Sequence, residues 1–364
     1  MSRVPSRPRG PRLARALLIV VASLVPVVIA ADLTDRPPPT PIFVDGKLTL
    51  LGTDVTLGDA IRTLAIRAKP GRLLDVSGGV LDAHADPGRI LLNGRRASRH
   101  TALDDGDRIQ VVDGQDRTEG IVTSKRMLPG RSPGDPMFTL ATSRVLQITR
   151  AGRISGDVVS IRYRSVGASH RPPEVALTFD DGPWPTSTEA ILRELRRLHV
   201  HATFFMVGYL AERYPGIVRD VMRANMAIGD HSWSHPMPFR DLSPRRIQTE
   251  VVRPARLLRD RYGAKVTVFR PPGGSFDPRI VNVARSARLR VVNWSVDPRD
   301  YEAGSTASGI VRSVLRSVGP GSIVLMHDGG GDRTATVKAV PRIVRGIRRM
   351  GLKLVAIRVG APPA

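Results

Sequence analysis

The chain has 364 residues, 41% hydrophobic and 24% charged, enough to bury a core and form more than one domain, which excludes a disordered or purely fibrous protein. Fifty-six Lys and Arg against 33 acids give a formal charge of +23, and because only six of the bases are Lys the excess is almost entirely Arg. Cysteine is absent, so disulfides, thiolate zinc sites, Cys nucleophiles and lipid attachment through an N-terminal Cys are excluded, and any metal must sit on His and carboxylates.

The bases are scattered, and no long Lys/Arg block interleaves with aromatics as a nucleic-acid surface requires. The excess therefore reads either as attraction to an anionic partner or as a general preference for Arg, and no nucleic acid is expected as a partner.

Met1 to Arg15 carries five Arg and no acid, and the apolar run Ala16 to Ala31 follows it. Positive flank, short apolar run and the small-residue site Val28-Ile29-Ala30 are the pattern of an export signal over residues 1–31. The run falls short of the about 20 apolar residues of a bilayer span and Pro26 interrupts it, so it reads as a cleaved signal or as a signal anchor that tethers the chain to a membrane through residues 16–31. The expected location is extracytoplasmic, secreted or held on the outer face of the cytoplasmic membrane. Removing Met1–Ala30 takes away five Arg and no acid and leaves +18, a charge that an anionic cell envelope attracts.

Residues 32–41, with DRPPPTP, form a Pro-rich spacer. Over residues 42–115 a small domain is expected. IFVDGKLTLLG predicts a hairpin turning at Asp45-Gly46, Val55 to Ala68 has the apolar spacing of one helix, and RILLNGRRAS and DDGDRIQVVDG predict two more strands. This order resembles a β-grasp module. Residues 116–171 read as a β-rich connection.

From residue 172 to 364 short apolar runs alternate with longer amphipathic stretches, the signature of parallel strands with crossover helices. The strands are predicted at Val175–Phe179, Ala202–Val207, Met226–Asp230, Val266–Arg270, Leu289–Trp294, Ser322–His327 and Leu352–Arg358. Helices are predicted at Thr186–Leu198, at Ser243–Tyr262 with Ser243 as N-cap, and at Thr334–Met350. Seven units in under 200 residues predict a closed or nearly closed barrel. The expected fold class is thus α/β, a distorted (β/α)7 barrel preceded by a small α+β, β-grasp-like domain.

The conspicuous polar residues stand at strand ends: Asp180 and Asp181, His231 and His235, Arg270, Asp297 and Asp300, and His327. In parallel barrels the loops after the strands converge on one mouth, so these distant residues would meet there. His231 and His235, four apart, share a face if the segment is a helical turn, and both imidazoles then reach one ion. TFDDGP supplies carboxylates that point in different directions at a strand end, one to ligate and one to serve as general base. The same Asp-Gly-Pro is also an ordinary turn.

Five motifs occur in order: TFDDGP (178–183), HSWSH (231–235), RPPGG (270–274), DPRDY (297–301) and LMH (325–327). On these the chain, over about 172–359, resembles the polysaccharide deacetylases of carbohydrate esterase family 4. The resemblance implies metal ligation by Asp181, His231 and His235, with Asp180 as base and His327 as acid. It also implies Asp300 as the partner of His327, Arg270 as the partner of Asp180, and the backbone N–H of Gly273 as an oxyanion donor. The implied cofactor is Zn²⁺ or another divalent metal such as Co²⁺, Ni²⁺ or Mn²⁺, and the implied partner is an N-acetylated glycan polymer, peptidoglycan or another envelope or extracellular glycan. Gly273 stands where the family usually has an aromatic, and Tyr301 where it usually has Trp. Two rival readings are an O-acetyl esterase on the same site and a catalytically silent glycan-binding protein.

Overall fold

The computed structural model describes residues 38–130, 140, 143–166 and 172–358. The export segment, the membrane tether at 16–31 and most of the Pro-rich spacer lie outside the described residues. Among the described residues no helix is long and apolar enough to cross a membrane. The chain divides into two compact units, one of residues up to Gly71 with Asp86–Gln115, the other of Arg72–Ala85 with Asp116 onward.

In the first unit β1 (Thr40–Val44) and β2 (Lys47–Leu51) form the expected hairpin, with Asp45 and Gly46 both at positive φ. Helix α1 (Leu57–Thr63) starts at a capping box in which Thr56 and Asp59 satisfy each other's backbone N–H. It is shorter than the apolar spacing suggests, because the chain turns left-handed at Ala65. After β3 (Gly71–Leu74) and β4 (Val80–Asp86), β5 (Arg89–Leu92) and β6 (Arg108–Val112) pair antiparallel, and β6 runs parallel to β1. The sheet order is therefore β2-β1-β6-β5, and Ile42, Leu57, Ala60, Leu92 and Ile109 fill the core it shares with α1.

In the second unit β3 pairs β4 and β7 (Arg117–Thr118), while β8 (Ile121–Leu128), β9 (Val145–Gly152) and β10 (Val158–Ser165) make an antiparallel sheet. The seven predicted strands follow as β11 (Glu174–Gly182), β12 (Thr203–Met206), β13 (Ala227–Asp230), β14 (Val268–Phe269), β15 (Arg290–Val291), β16 (Ile323–His327) and β17 (Lys353–Val355). All their pairings are parallel, in the order β15-β14-β13-β12-β11-β16, with β17 on the first residues of β11. A bridge from Val296, just past β15, to Val324 of β16 links the two ends of that row, so the sheet curls into a distorted barrel.

Strand alternation explains what fills it. On β11, Val175, Leu177 and Phe179 face the helices, while Ala176, Thr178 and Asp180 face inward with Phe205, Val268, Val292 and Ile323. Outside lie α2 (Ser187–Arg197), α3 (Gly208–Arg213), α4 (Pro215–Arg223), α5 (Pro244–Tyr262), α6 (Pro278–Ser286), α7 (Ala307–Ser317) and α8 (Thr334–Arg349). Ser243 caps α5 through Arg246 N–H, Pro244 takes the first turn where its missing N–H is harmless, and Gly263 ends the helix at φ 67°. Near that end Arg259 donates to the carbonyls of Val266, Ala287 and Arg288, binding α5 to the strand ahead and to the end of α6. Lys at this position keeps the charge but not the fork. Arg259→Lys is therefore expected to lower the unfolding free energy by about 1–3 kcal/mol, read as a shifted denaturant midpoint at unchanged slope. An unmoved midpoint would show the latch to be dispensable.

Candidate active site and metal centre

The C-terminal ends of β11, β13, β14 and β16 bring the predicted residues together. Asp181 leaves β11 at φ +73°, and Ser232 and His235 are left-handed at φ +68° and +53°. Such backbone costs of order 1–3 kcal/mol per residue and persists only where the surroundings enforce it. HSWSH is consequently not the helical turn its spacing suggests; it is an irregular loop that carries both imidazoles to one point.

The loop is held from α5. Glu250, fully buried on the apolar face of that helix, accepts from Ser234 N–H (2.7 Å) and its hydroxyl (2.8 Å), and Arg246 neutralises it at 2.7 Å. One turn on, the Arg253 guanidinium stacks on the Trp233 ring, 3.3 Å from its centroid.

His231 Nδ1 lies 2.7 Å from the carbonyl oxygen of Arg270, which only accepts, so Nδ1 carries the hydrogen and Nε2 presents its lone pair to the site. That Nε2 is 3.4 Å from Asp181 Oδ1, and His235 Nε2 is 3.2 Å from the same oxygen. Asp181 Oδ1 is buried and has no hydrogen-bond partner. An orphaned carboxylate oxygen facing two imidazole nitrogens calls for a cation. The spacings also match the separation of about 3.3 Å expected between two ligands about 2.0–2.1 Å from a tetrahedral ion. Asp181, His231 and His235 thus fit a divalent metal with a position left open. Burial would raise the Asp181 carboxyl, but the contact and charge of His231, followed by His327 and His235, hold it below the usual carboxylate range.

Asp180 points the other way, into the barrel. Its Oδ1 accepts from Arg270 Nη1 at 2.7 Å, while Oδ2 lies 3.8 Å from His231 Nε2. Arg270 is wholly buried and spends its donors on Asp180, Thr178 Oγ1 (2.7 Å) and the carbonyls of Val292 (3.1 Å) and Asn293 (2.9 Å). The Phe205 ring lies under its guanidinium at 4.0 Å.

His327, at the end of β16, sits across the mouth. Its Nδ1 is 2.7 Å from Asp300 Oδ1, and Asp300 Oδ2 accepts from His327 N–H (2.9 Å) and Thr336 Oγ1 (2.8 Å). Burial pushes the imidazole pKa down, but Asp300, through its hydrogen bond and charge, and then the charges of Asp180 and Asp181 leave it raised. Asp297 accepts from Arg299 N–H (2.8 Å) and the Tyr301 hydroxyl (3.2 Å), and so shapes the turn that carries Asp300. Gly273 lies in a turn at φ +63°, where an added Cβ would meet the Met237 side chain at 2.6 Å.

Among the buried carboxylates that sequence reasoning missed are Glu250 and Asp328. Asp328 accepts from Gly182 N–H (3.1 Å) and Thr188 Oγ1 (2.6 Å), and its own N–H binds the Asp180 carbonyl (3.0 Å), pinning the bend that holds both site aspartates. Gly182 is required there, since a Cβ would fall 2.1 Å from Asp328 Oδ2. Burial, with Asp181 and Asp180 nearby, pushes the Asp328 carboxyl up to about 7. Glu250 was readable as an acid on the buried stripe of an amphipathic helix; Asp328 carried no local signal beyond its place after His327. Because Asp300 contributes most to raising His327, Asp300→Asn is expected to move the His327 titration midpoint to lower pH, followed by NMR of labelled imidazoles. An unmoved midpoint would assign the shift to other charges.

A family model described as polysaccharide deacetylase matches residues 167–292. The chain is 34% identical over 185 residues to a peptidoglycan-N-acetylglucosamine deacetylase of Bacillus cereus, covering 50% of this chain and 85% of that protein. It is 32% identical over 208 residues to a chitooligosaccharide deacetylase of Azorhizobium caulinodans, covering 54% of this chain and 98% of that one. The crystal structure of a peptidoglycan N-acetylglucosamine deacetylase with a bound N-oxidanyl-benzamide superposes with a TM-score of 0.49 at 32% identity, over 52% of this chain and 88% of the other. The chain belongs to the polysaccharide deacetylases of carbohydrate esterase family 4, hydrolases of carbon–nitrogen bonds.

Proposed function

We propose that this protein is an exported, metal-dependent N-deacetylase that removes acetyl groups from N-acetylated sugars of an envelope or extracellular glycan, with peptidoglycan as the leading substrate. The observation that carries it is the division of labour in the site: one aspartate aimed at two imidazoles, its neighbour at a buried arginine, and a carboxylate-backed histidine opposite. Relatives named for peptidoglycan and chitooligosaccharides support the substrate class. The Arg-rich flank and apolar run of residues 1–31 support export, cleaved or anchored.

A divalent cation held by Asp181, His231 and His235, zinc foremost with cobalt, nickel or manganese as alternatives, would acidify a water and polarise the acetamide carbonyl. Asp180 Oδ2 accepts the proton of the attacking water as the new C–O bond forms. Arg270 keeps that carboxylate oriented, its other donors being tied to the barrel wall. The backbone N–H of Gly273 would receive the developing oxyanion. Collapse breaks the C–N bond while His327 Nε2 gives its proton to the nitrogen, leaving acetate and a free amine. An amine leaves only when protonated, whereas an alkoxide needs less help, so a histidine whose pKa Asp300 raises favours amide over ester and N-deacetylation over the O-acetyl esterase reading. The intact set of Asp180, Asp181, His231, His235 and His327 argues against a silent glycan-binding protein. The N-terminal unit, read as β-grasp-like, would act as a spacer or positioning module.

The test measures acetate release from N-acetylglucosamine oligomers, peptidoglycan and an O-acetylated glycan by the full chain, before and after chelation and zinc return. Chelation should abolish release and zinc restore it, and Asp180→Asn should fold and bind metal yet lose about 10²–10⁴-fold in rate. Release that survives chelation would remove the metal from the mechanism. Release from the O-acetylated glycan alone would make the protein an esterase.

A further inference from the structure

From residue 172 onward the described residues expose five large apolar side chains: Trp184, Tyr209, Met237, Phe276 and Tyr301, between 36% and 60% exposed. They fall one apiece on the segments that follow β11, β12, β13, β14 and β15, Tyr209 on the short helix α3 and the other four in loops. Along the sheet they run Tyr301, Phe276, Met237, Tyr209, Trp184, in the order of the strands they follow. Isolated exposed apolar residues are ordinary, but a scatter would place some on the long helices or on loops that enter strands, and none is there.

Two of the five touch the site. The Tyr301 ring stands edge-on to His327, centroids 5.1 Å apart, with its hydroxyl on Asp297. Met237 fills the space that a side chain at Gly273 would take. Trp184 is three residues past Asp181, its backbone N–H given to Thr188 Oγ1 at 2.7 Å, and Phe276 is three residues past Gly273.

We infer that these residues form a stacking rim holding an extended N-acetylated glycan across the mouth, with Trp184 and Phe276 carrying sugars adjacent to the one that reacts. The inference rests on the deacetylase reading. A pyranose has C–H faces that are apolar and hydroxyl edges that are polar, so an exposed ring or thioether covers a face while the edges stay in water. Aromatic side chains do this at small entropic cost because they have few rotatable bonds. The five groups bring no charge, which suits a neutral sugar backbone. Tyr301 and Met237, which touch His327 and the Gly273 turn, serve the reacting unit, and only a longer chain reaches the other platforms.

Acetate release by the full-length holoenzyme is compared on N-acetylglucosamine oligomers of two and six sugars. Trp184→Ala and Phe276→Ala should each lower the hexamer-to-disaccharide ratio of kcat/KM about fivefold, chiefly through KM, while Trp184→Phe keeps most of it. A ratio unchanged in both Ala variants would overturn the rim. Should the wild type release no acetate from either oligomer, the deacetylase reading is what fails, and calorimetric binding of the hexamer decides the rim. Binding weakened in both Ala variants upholds it; binding that is absent, or equal in all, sinks it.

Discussion

The site depends on a guanidinium sealed inside a barrel. Arg270 has no solvent exposure, and a charge taken out of water costs several kcal/mol unless its donors are met. Here they are met by Asp180, Thr178 and two carbonyls of the segment after β15, with an aromatic face beneath. These partners come from β11 and the segment after β15, so the ion pair also fixes how the strands that frame the mouth meet. Removing either charge from such a pair costs about 3–5 kcal/mol, because the remaining one is left buried and unpaired. Asp180 is thereby fixed in place before any substrate arrives.

Adjacent carboxylates with different neighbours then acquire different chemistry. Asp180 faces inward to a permanent cation, whereas Asp181, turned outward by its left-handed backbone, faces two imidazole nitrogens and no donor of its own. The strain at Asp181, Ser232 and His235 is held by supports outside the constellation. Asp328 grips the bend after β11, and Glu250 with Arg253 grips the HSWSH loop from α5. Across the mouth, Asp300 ties both His327 Nδ1 and its backbone N–H, which leaves Nε2 free to act. Asp180, His231 and His327 are thus each oriented by a partner that takes no part in the chemistry.

Much of the fold was legible because its signals are local. Apolar runs located all seven strands, and Ser243 with Pro244 marked the start of α5. Strand lengths were less legible: Val266–Arg270 and Leu289–Trp294 shrink to the pairs Val268–Phe269 and Arg290–Val291, since barrel curvature limits how many residues stay in register. The spacing of His231 and His235 suggested a helical turn, but Glu250 and the left-handed residues override that preference. Met237 gave no signal, because its place over Gly273 exists only once two loops from different strands meet.

By itself the sequence determined the inventory: no thiols, three histidines and four carboxylates at strand ends, and a parallel α/β periodicity that sends them to one face. Tertiary structure decided the roles. Asp180 meets Arg270 across 90 residues, His231 meets the Arg270 carbonyl across 39, and His327 meets Asp300 across 27. Which aspartate turns inward follows from a positive φ and from contacts at those separations. No local propensity encodes them, because their energy appears only when the barrel closes and water is gone.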